Sequence, residues 1–251
     1  MIKEETLLEK DVLQDMLLLG DNIPYNEFEI INHKLRYIFS KDMGVRKYSS
    51  LVKLSILEVE DILQIDKGVD IGNIHIFDIL CGIEELRESL NELLDRFTNL
   101  KWHYFNVLGS HEFVSSTDKN RITIGKKEIE DIFHIIQEMY CITKESNKYE
   151  DIKTKTQEGE DLLKEFMLEE EKINKNKTPS ITLKSIIKGV SSRPSNYNLF
   201  NIWDLTIYQL METFYTLNTY DNYNYSMTSI YQGVMDGKNL SKLNWAGESN
   251  L

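Results

Sequence analysis

The chain has 251 residues, 41% hydrophobic and 28% charged. That balance is globular and argues against wholesale disorder. Its 29 basic and 41 acidic side chains give a formal charge of −12, which argues against nucleic acid or an anionic membrane surface as the main partner, since both need a basic footprint.

Charge divides the chain into three parts. Residues 1–143 hold 16 basic and 26 acidic side chains, residues 144–178 hold 8 and 10, and residues 179–251 hold 5 and 5. The middle stretch has too few apolar groups for a core and reads as a charged helical linker. The expected organisation is an acidic α+β domain over 1–143, the linker over 144–178, and an aromatic-rich helical region over 179–251.

In chain order, Thr6–Leu19 carries Leu7, Leu8, Val12, Leu13, Met16 and Leu17 at helical spacing, and Gly20 stops the run. Phe28–Ile31 and Leu35–Phe39 flank Asn32-His33-Lys34, and their aromatic and β-branched residues predict a β-hairpin. A short helix is expected over Ile56–Ile65, and Gly68 and Gly72 break the chain after it. A longer helix is expected from Ile76 to Phe97. Ile79, Ile83, Leu86, Leu90, Leu93, Leu94 and Phe97 form one apolar stripe there, with Asp78 in the first turn.

Glu112–Ser116 and Arg121–Gly125 predict a second hairpin, turned by Thr117–Asn120. Ile129, Ile132, Phe133, Ile136 and Tyr140 then predict an amphipathic helix over 126–140, and a polar helix is expected over Glu158–Ile173. Ser180 or Thr182 is placed to cap a helix carrying Leu183, Ile186, Ile187 and Val190, which Pro194 closes.

The last segment is the most aromatic: residues 197–245 hold 11 of the 26 aromatics. Trp203, Ile207, Leu210, Met211, Phe214 and Leu217 follow helical spacing, and Ile202, Leu205, Tyr208 and Tyr215 widen the apolar face. Tyr220–Tyr225 is rich in Asn and Asp and reads as a loop. A final short helix is expected over Ser226–Met235. The fold class is therefore mainly α with minor β: a helical core, two small β-hairpins and a separate helical C-terminal segment.

No catalytic or metal motif stands out. His33, His75, His103, His111 and His134 are scattered singly, and each reads as a structural or surface residue. Cys81 and Cys141 suggest neither a disulfide framework nor a zinc cage. No HExxH, CxxC, Walker loop, GxGxxG or GxSxG occurs. The chain is expected to be non-enzymatic, with no cofactor and no metal. No apolar run approaches the ~20 residues needed to span a bilayer, and the acidic start Met1–Glu5 lacks a signal-peptide core. A soluble protein of the cytoplasm is expected, binding neither nucleic acid nor membrane. Trp203, Ile207, Tyr208, Leu210, Phe214 and Tyr215 are the candidate site, as core or as a partner-binding face; a buried helix and an interface helix look alike in sequence. Trp203, Ile207, Leu210 and Phe214 would form its centre, with Tyr208 and Tyr215 towards the edge.

Residues Ser191–Leu210, SSRPSNYNLFNIWDLTIYQL, carry a stretch "NIWDLTIYQ" that resembles a signature in small phage and prophage proteins of low-GC Gram-positive bacteria. Gly233, Gly237 and Trp245-Ala246-Gly247 occupy the Gly-rich turn and terminal Trp of that family, and Leu54–Ile62 and Ile76–Leu80 are also similar. The good match spans about sixty residues. The 28 Ile and 20 Asn against a single Ala imply AT-rich coding, which agrees with such a source. The resemblance implies tail morphogenesis: a tail assembly chaperone whose partners are the tape-measure or tail-tube protein, in the host cytoplasm, with self-association left open. Its rivals are a structural virion component, such as a tail-completion or baseplate subunit, and a phage protein that meets a host or defence factor.

Overall fold

The computed structural model describes residues 10–64, 74–107, 110–116, 121–142, 182–193 and 196–233. Among these it is a mainly helical α+β fold with two small antiparallel sheets. The start of the first helix at Thr6, the breaks at Gly68 and Gly72, the Thr117–Asn120 turn, the Glu158–Ile173 helix, Pro194 and the tail beyond residue 233 lie outside the described residues.

The first helix, α1 (Lys10–Leu19), buries Leu13 and Leu17. It ends where the sequence indicates. Gly20 takes φ +78°, and the Gly20 and Asp21 N–H groups donate back to Leu17 and Met16. This left-handed cap satisfies carbonyls that the helix leaves open.

Strands β1 (Ile23–Tyr25) and β2 (Phe28–Ile30) come next, paired Ile23 to Ile30 and Tyr25 to Phe28. The expected hairpin is thus corrected. Phe28–Ile30 is its second strand, and Leu35–Ile38 is the helix α2. Pro24 hides the first strand from a propensity reading, yet it sits at an outward-facing position of a two-stranded sheet, where its missing N–H is tolerated. Leu35 and Ile38, three residues apart, both face the core, which is helical and not strand spacing.

Helix α3 (Val45–Lys53), to which the sequence pattern assigns no element, runs into a 3-10 turn at Leu54–Ile56 and buries Tyr48, Leu51 and Val52. The short helix expected at Ile56–Ile65 is α4 (Val59–Leu63). The long helix expected from Ile76 is two: α5 (Ile76–Gly82) and α6 (Glu84–Thr98). Ile83 between them is extended, with φ −98° and ψ 121°. The core-facing residues of α5 are Phe77, Leu80 and Cys81, so its apolar face is out of phase with the stripe that continues on α6 through Leu90, Leu93, Leu94 and Phe97. A single straight helix could not bury both sets on one side.

The second sheet has three strands: β3 (His103–Val107), β4 (Ser110–Ser116) and β5 (Arg121–Ile124), ordered β3-β4-β5. The expected hairpin is β4–β5, and β3 extends it. Helix α7 (Lys126–Met139) begins at Gly125, whose N–H donates to the Glu128 carboxylate at 2.9 Å.

Helix α8 (Leu183–Ser192) is capped by Thr182, whose hydroxyl accepts from the Ser185 N–H at 3.2 Å. A 3-10 turn at Ile202–Asp204 leads into α9 (Ile207–Tyr231). The aromatic helix therefore begins four residues after Trp203. Thr206 and Gln209 form its capping box, at 3.3 and 3.1 Å. The Tyr220–Tyr225 loop and the separate Ser226 helix are also corrected: both belong to α9. Asn and Asp weaken a helix locally, but Asn218 and Asp221, one turn apart, are both held by the Arg193 guanidinium at the end of α8, at 3.2 and 3.0 Å.

One hydrophobic cluster runs through Leu17, Ile30, Leu35, Phe97, Ile136, Ile187, Ile202 and Leu210, so residues from α8 and α9 share it with the first half of the chain.

Candidate functional site

The C-terminal segment meets the first half of the chain along a short backbone seam. The Leu35 N–H donates to the Leu205 carbonyl at 2.8 Å, and Lys34 and Thr206 form an antiparallel bridge. Arg36 closes onto Asp204 at 2.9 Å, and Phe39 meets the Trp203 ring edge-on at 5.4 Å between centroids. Two parts of the sequence thus build one surface.

Residues 196–203 form the outer lip of that seam, and their asparagines lock the loop. The Asn201 side-chain oxygen accepts from the Asn198 N–H at 2.7 Å, and its amide donates to the Asn196 carbonyl at 2.8 Å. The Asn198 side chain accepts from the Phe200 N–H at 2.8 Å, and the Trp203 indole N–H donates to the Leu199 carbonyl at 2.8 Å. Short polar side chains that bond nearby backbone hold a turn in one conformation. This one holds Leu199 at 58% exposure and Phe200 at 90%. Preorganised exposed apolar side chains of this kind are suited to binding protein.

The six candidates from the sequence separate around this lip. Trp203 is half-buried and reaches the surface beside Phe39 and Leu199. Ile207 is half-buried in the first turn of α9, and Leu210 is completely buried. Tyr208, placed towards an edge by the sequence, lies inside. Its phenol is pushed up to about 12 by burial and then by the Glu212 carboxylate. Phe214 is half-buried and meets the more exposed Tyr215 edge-on at 5.9 Å. Sequence periodicity passes over Phe39, Leu199 and Phe200. The available signal was the pair of asparagines at 198 and 201 enclosing two large apolar residues.

A family model described as the YomV second domain matches residues 174–250. The matched region contains the whole Asn196–Trp203 lip and α9, and amounts to less than a third of the 251 residues. The YomV family is phage-associated, so the match fits a phage protein. No curated protein and no solved structure matches the chain.

A second polar feature lies in the acidic half. A cleft of about 870 Å³ opens between α6 and the β2–α2 connection, floored by His33 and Tyr37, which stack at 4.3 Å. His33 is buried, its Nδ1 lies 2.9 Å from the Tyr48 hydroxyl, and that hydroxyl bonds the Tyr140 hydroxyl. Burial, and then the Arg96 guanidinium, push the imidazole down to about 4. The chain from His33 Nδ1 through the Tyr48 and Tyr140 hydroxyls ties α3, α7 and the β2–α2 connection together. Around the rim, Glu92 pairs with Lys47 and Arg96, and Asp95 pairs with Lys101. These five charges are therefore mutually engaged.

Two cysteines and two further histidines sit in defined local surroundings. Burial pushes the thiols of Cys81 and Cys141 each up to about 12, far from the thiolate form at neutral pH. His75 accepts the Phe77 N–H at Nδ1 and pairs with Glu130 through Nε2 at 2.8 Å. His111 stacks on Tyr104. Among the described residues no group of three or more His, Cys, Asp or Glu side chains could hold a metal ion, and no helix is long and apolar enough to cross a membrane.

Proposed function

We propose that this is a non-enzymatic bacteriophage protein that acts in tail assembly through protein–protein contacts, as a tail assembly chaperone in the host cytoplasm. One observation carries the contact reading. A loop locked by four side-chain hydrogen bonds holds Leu199 and Phe200 out into water, which stability alone would not reward. The phage-associated match over the same residues supports the setting, and the resemblance of the "NIWDLTIYQ" stretch supports the tail. The excess of acid in residues 1–143 would keep copies of a chaperone apart while its apolar lip engages a client.

The test is a pull-down of the tagged chain from induced cells, together with mass spectrometry of purified particles. A chaperone recovers tape-measure or tail-tube protein and is absent from the particle. A fixed copy number in the particle would make it a virion subunit. Normal tails in a deletion strain, with no tail protein recovered, would remove the proposal.

A further inference from the structure

We infer that the lip formed by Phe39, Leu199, Phe200 and Trp203 binds a short, uncharged apolar segment of another protein. The inference rests on the protein-binding reading above and specifies the chemistry of the partner.

Three observations select that occupant. The first is area. With about 150–250 Å² per large aromatic side chain, the exposed fractions of Leu199 and Phe200, with smaller contributions from the half-buried Phe39 and Trp203, offer together at most roughly 350 Å². A stable dimer needs about 800 Å² on each partner, so the patch fits a peptide-sized segment better than a second copy of this chain. The second is charge. Residues 196–203 carry no Asp, Glu, Lys, Arg or His, and Asp204 beyond them pairs with Arg36 at 2.9 Å. A charged ligand group seated on the loop would find no counter-charge among these residues. The third is preorganisation. The asparagine bonds fix the loop before a partner arrives, so ordering it costs little at binding. The same features do not favour a membrane: two apolar side chains on a protein of charge −12 give little insertion and no attraction to anionic lipid.

The experiment uses the full chain and a fluorescein-labelled helical peptide of about 14 residues, roughly four turns, with a leucine stripe on an Ala, Gln and Ser background. Fluorescence anisotropy should show saturable one-to-one binding, absent when the leucines are replaced by serine. Phe200→Ser should weaken it at least about tenfold, as truncation of a hot-spot residue does. Tyr225→Ser, at another exposed ring on α9, should leave it unchanged. Phe200 is 90% exposed, so its variant keeps the fold, which circular dichroism checks. Three results would overturn the inference: no peptide binding, equal binding by Phe200→Ser, or a Phe200-dependent interaction seen only with phosphatidylcholine–phosphatidylglycerol vesicles or as dimerisation in sedimentation. If the pull-down recovers the same tail protein with wild type and with Phe200→Ser, the tail-assembly reading stands and this lip is not its contact. If the peptide binds as expected but no tail protein is recovered, the lip stands and the tail reading fails.

Discussion

Lowering the pH from 7 to 5 should cost this protein about 2 kcal/mol of stability through His33 alone. The imidazole titrates at about 4 in the folded chain, against 6.5 for an unperturbed histidine. Above pH 6.5 the ring is neutral in both states and contributes no slope. Between 6.5 and 4 the unfolded chain takes up a proton that the folded chain refuses, so stability falls as pH falls. Below about 4 both states are protonated and the loss levels off near 3 kcal/mol. The structural cause is specific. A protonated ring would carry its charge in a buried site, away from water and beside the Arg96 guanidinium. Urea denaturation followed by circular dichroism, at constant ionic strength across this range, measures the loss. His33→Gln removes the titration. It lowers stability at neutral pH by losing the Tyr37 stack, but its pH slope should be shallower by about 2 kcal/mol between pH 7 and 5. Carboxylates contribute equally to both proteins, so the difference isolates His33. Parallel slopes would refute the reasoning.

Other substitutions separate core from surface. Leu210→Ala should cost about 2–5 kcal/mol, the range for a buried leucine. Trp203→Ala loses one aromatic pair and one indole bond and should cost less than about 2 kcal/mol; thermal melts that rank the two the other way would move Trp203 into the core. Gly20→Ala should cost about 1–2 kcal/mol from its left-handed backbone. A further loss adds to this, because the new Cβ would lie 2.7 Å from the Gln209 Nε2 and displace the bond from Gln209 to the Leu18 carbonyl. A Gly20→Ala protein as stable as wild type in urea would show that α1 and α9 do not pack as described.

One physical rule separates the elements legible in the sequence from those hidden in it. Segments whose own period decides their fate were legible: α6, with its 3.6-residue stripe, α7, α8 with Thr182 at its cap, and the β4–β5 alternation. Segments decided by distant partners were not. Three residues of β1 acquire strand geometry by pairing with β2 across Asn26 and its φ of +50°. Residues 220–225 stay helical although their composition favours a turn, because Arg193, far back in sequence, holds Asn218 and Asp221. The site divides in the same way. Leu210 was visible as a member of an apolar periodicity, because periodicity finds what is buried, whereas Trp203 precedes α9 and is only half-buried. Phe200 is functional in this reading because it is not buried, and only the hydrogen-bonded loop around it shows that its exposure is held in place.

An exposed phenylalanine on a rigid loop is also a liability, and the charge distribution meets it. Residues 1–143 hold ten more acids than bases, while residues 179–251, which carry all of the lip but Phe39, hold equal numbers. Two copies approaching lip to lip therefore bring two like-charged bodies together. That repulsion acts over a Debye length of about 8 Å at physiological salt and shrinks to about 3 Å at 1 M, whereas the apolar attraction of Phe200 and Leu199 does not weaken with salt. Light scattering should therefore rise as sodium chloride is raised towards 1 M, and Phe200→Ser should shift that rise to higher salt. If both proteins scatter alike at every salt concentration, the lip is not what the acidic body keeps apart, and the division of labour between a charged half and a neutral, aromatic half loses its physical basis.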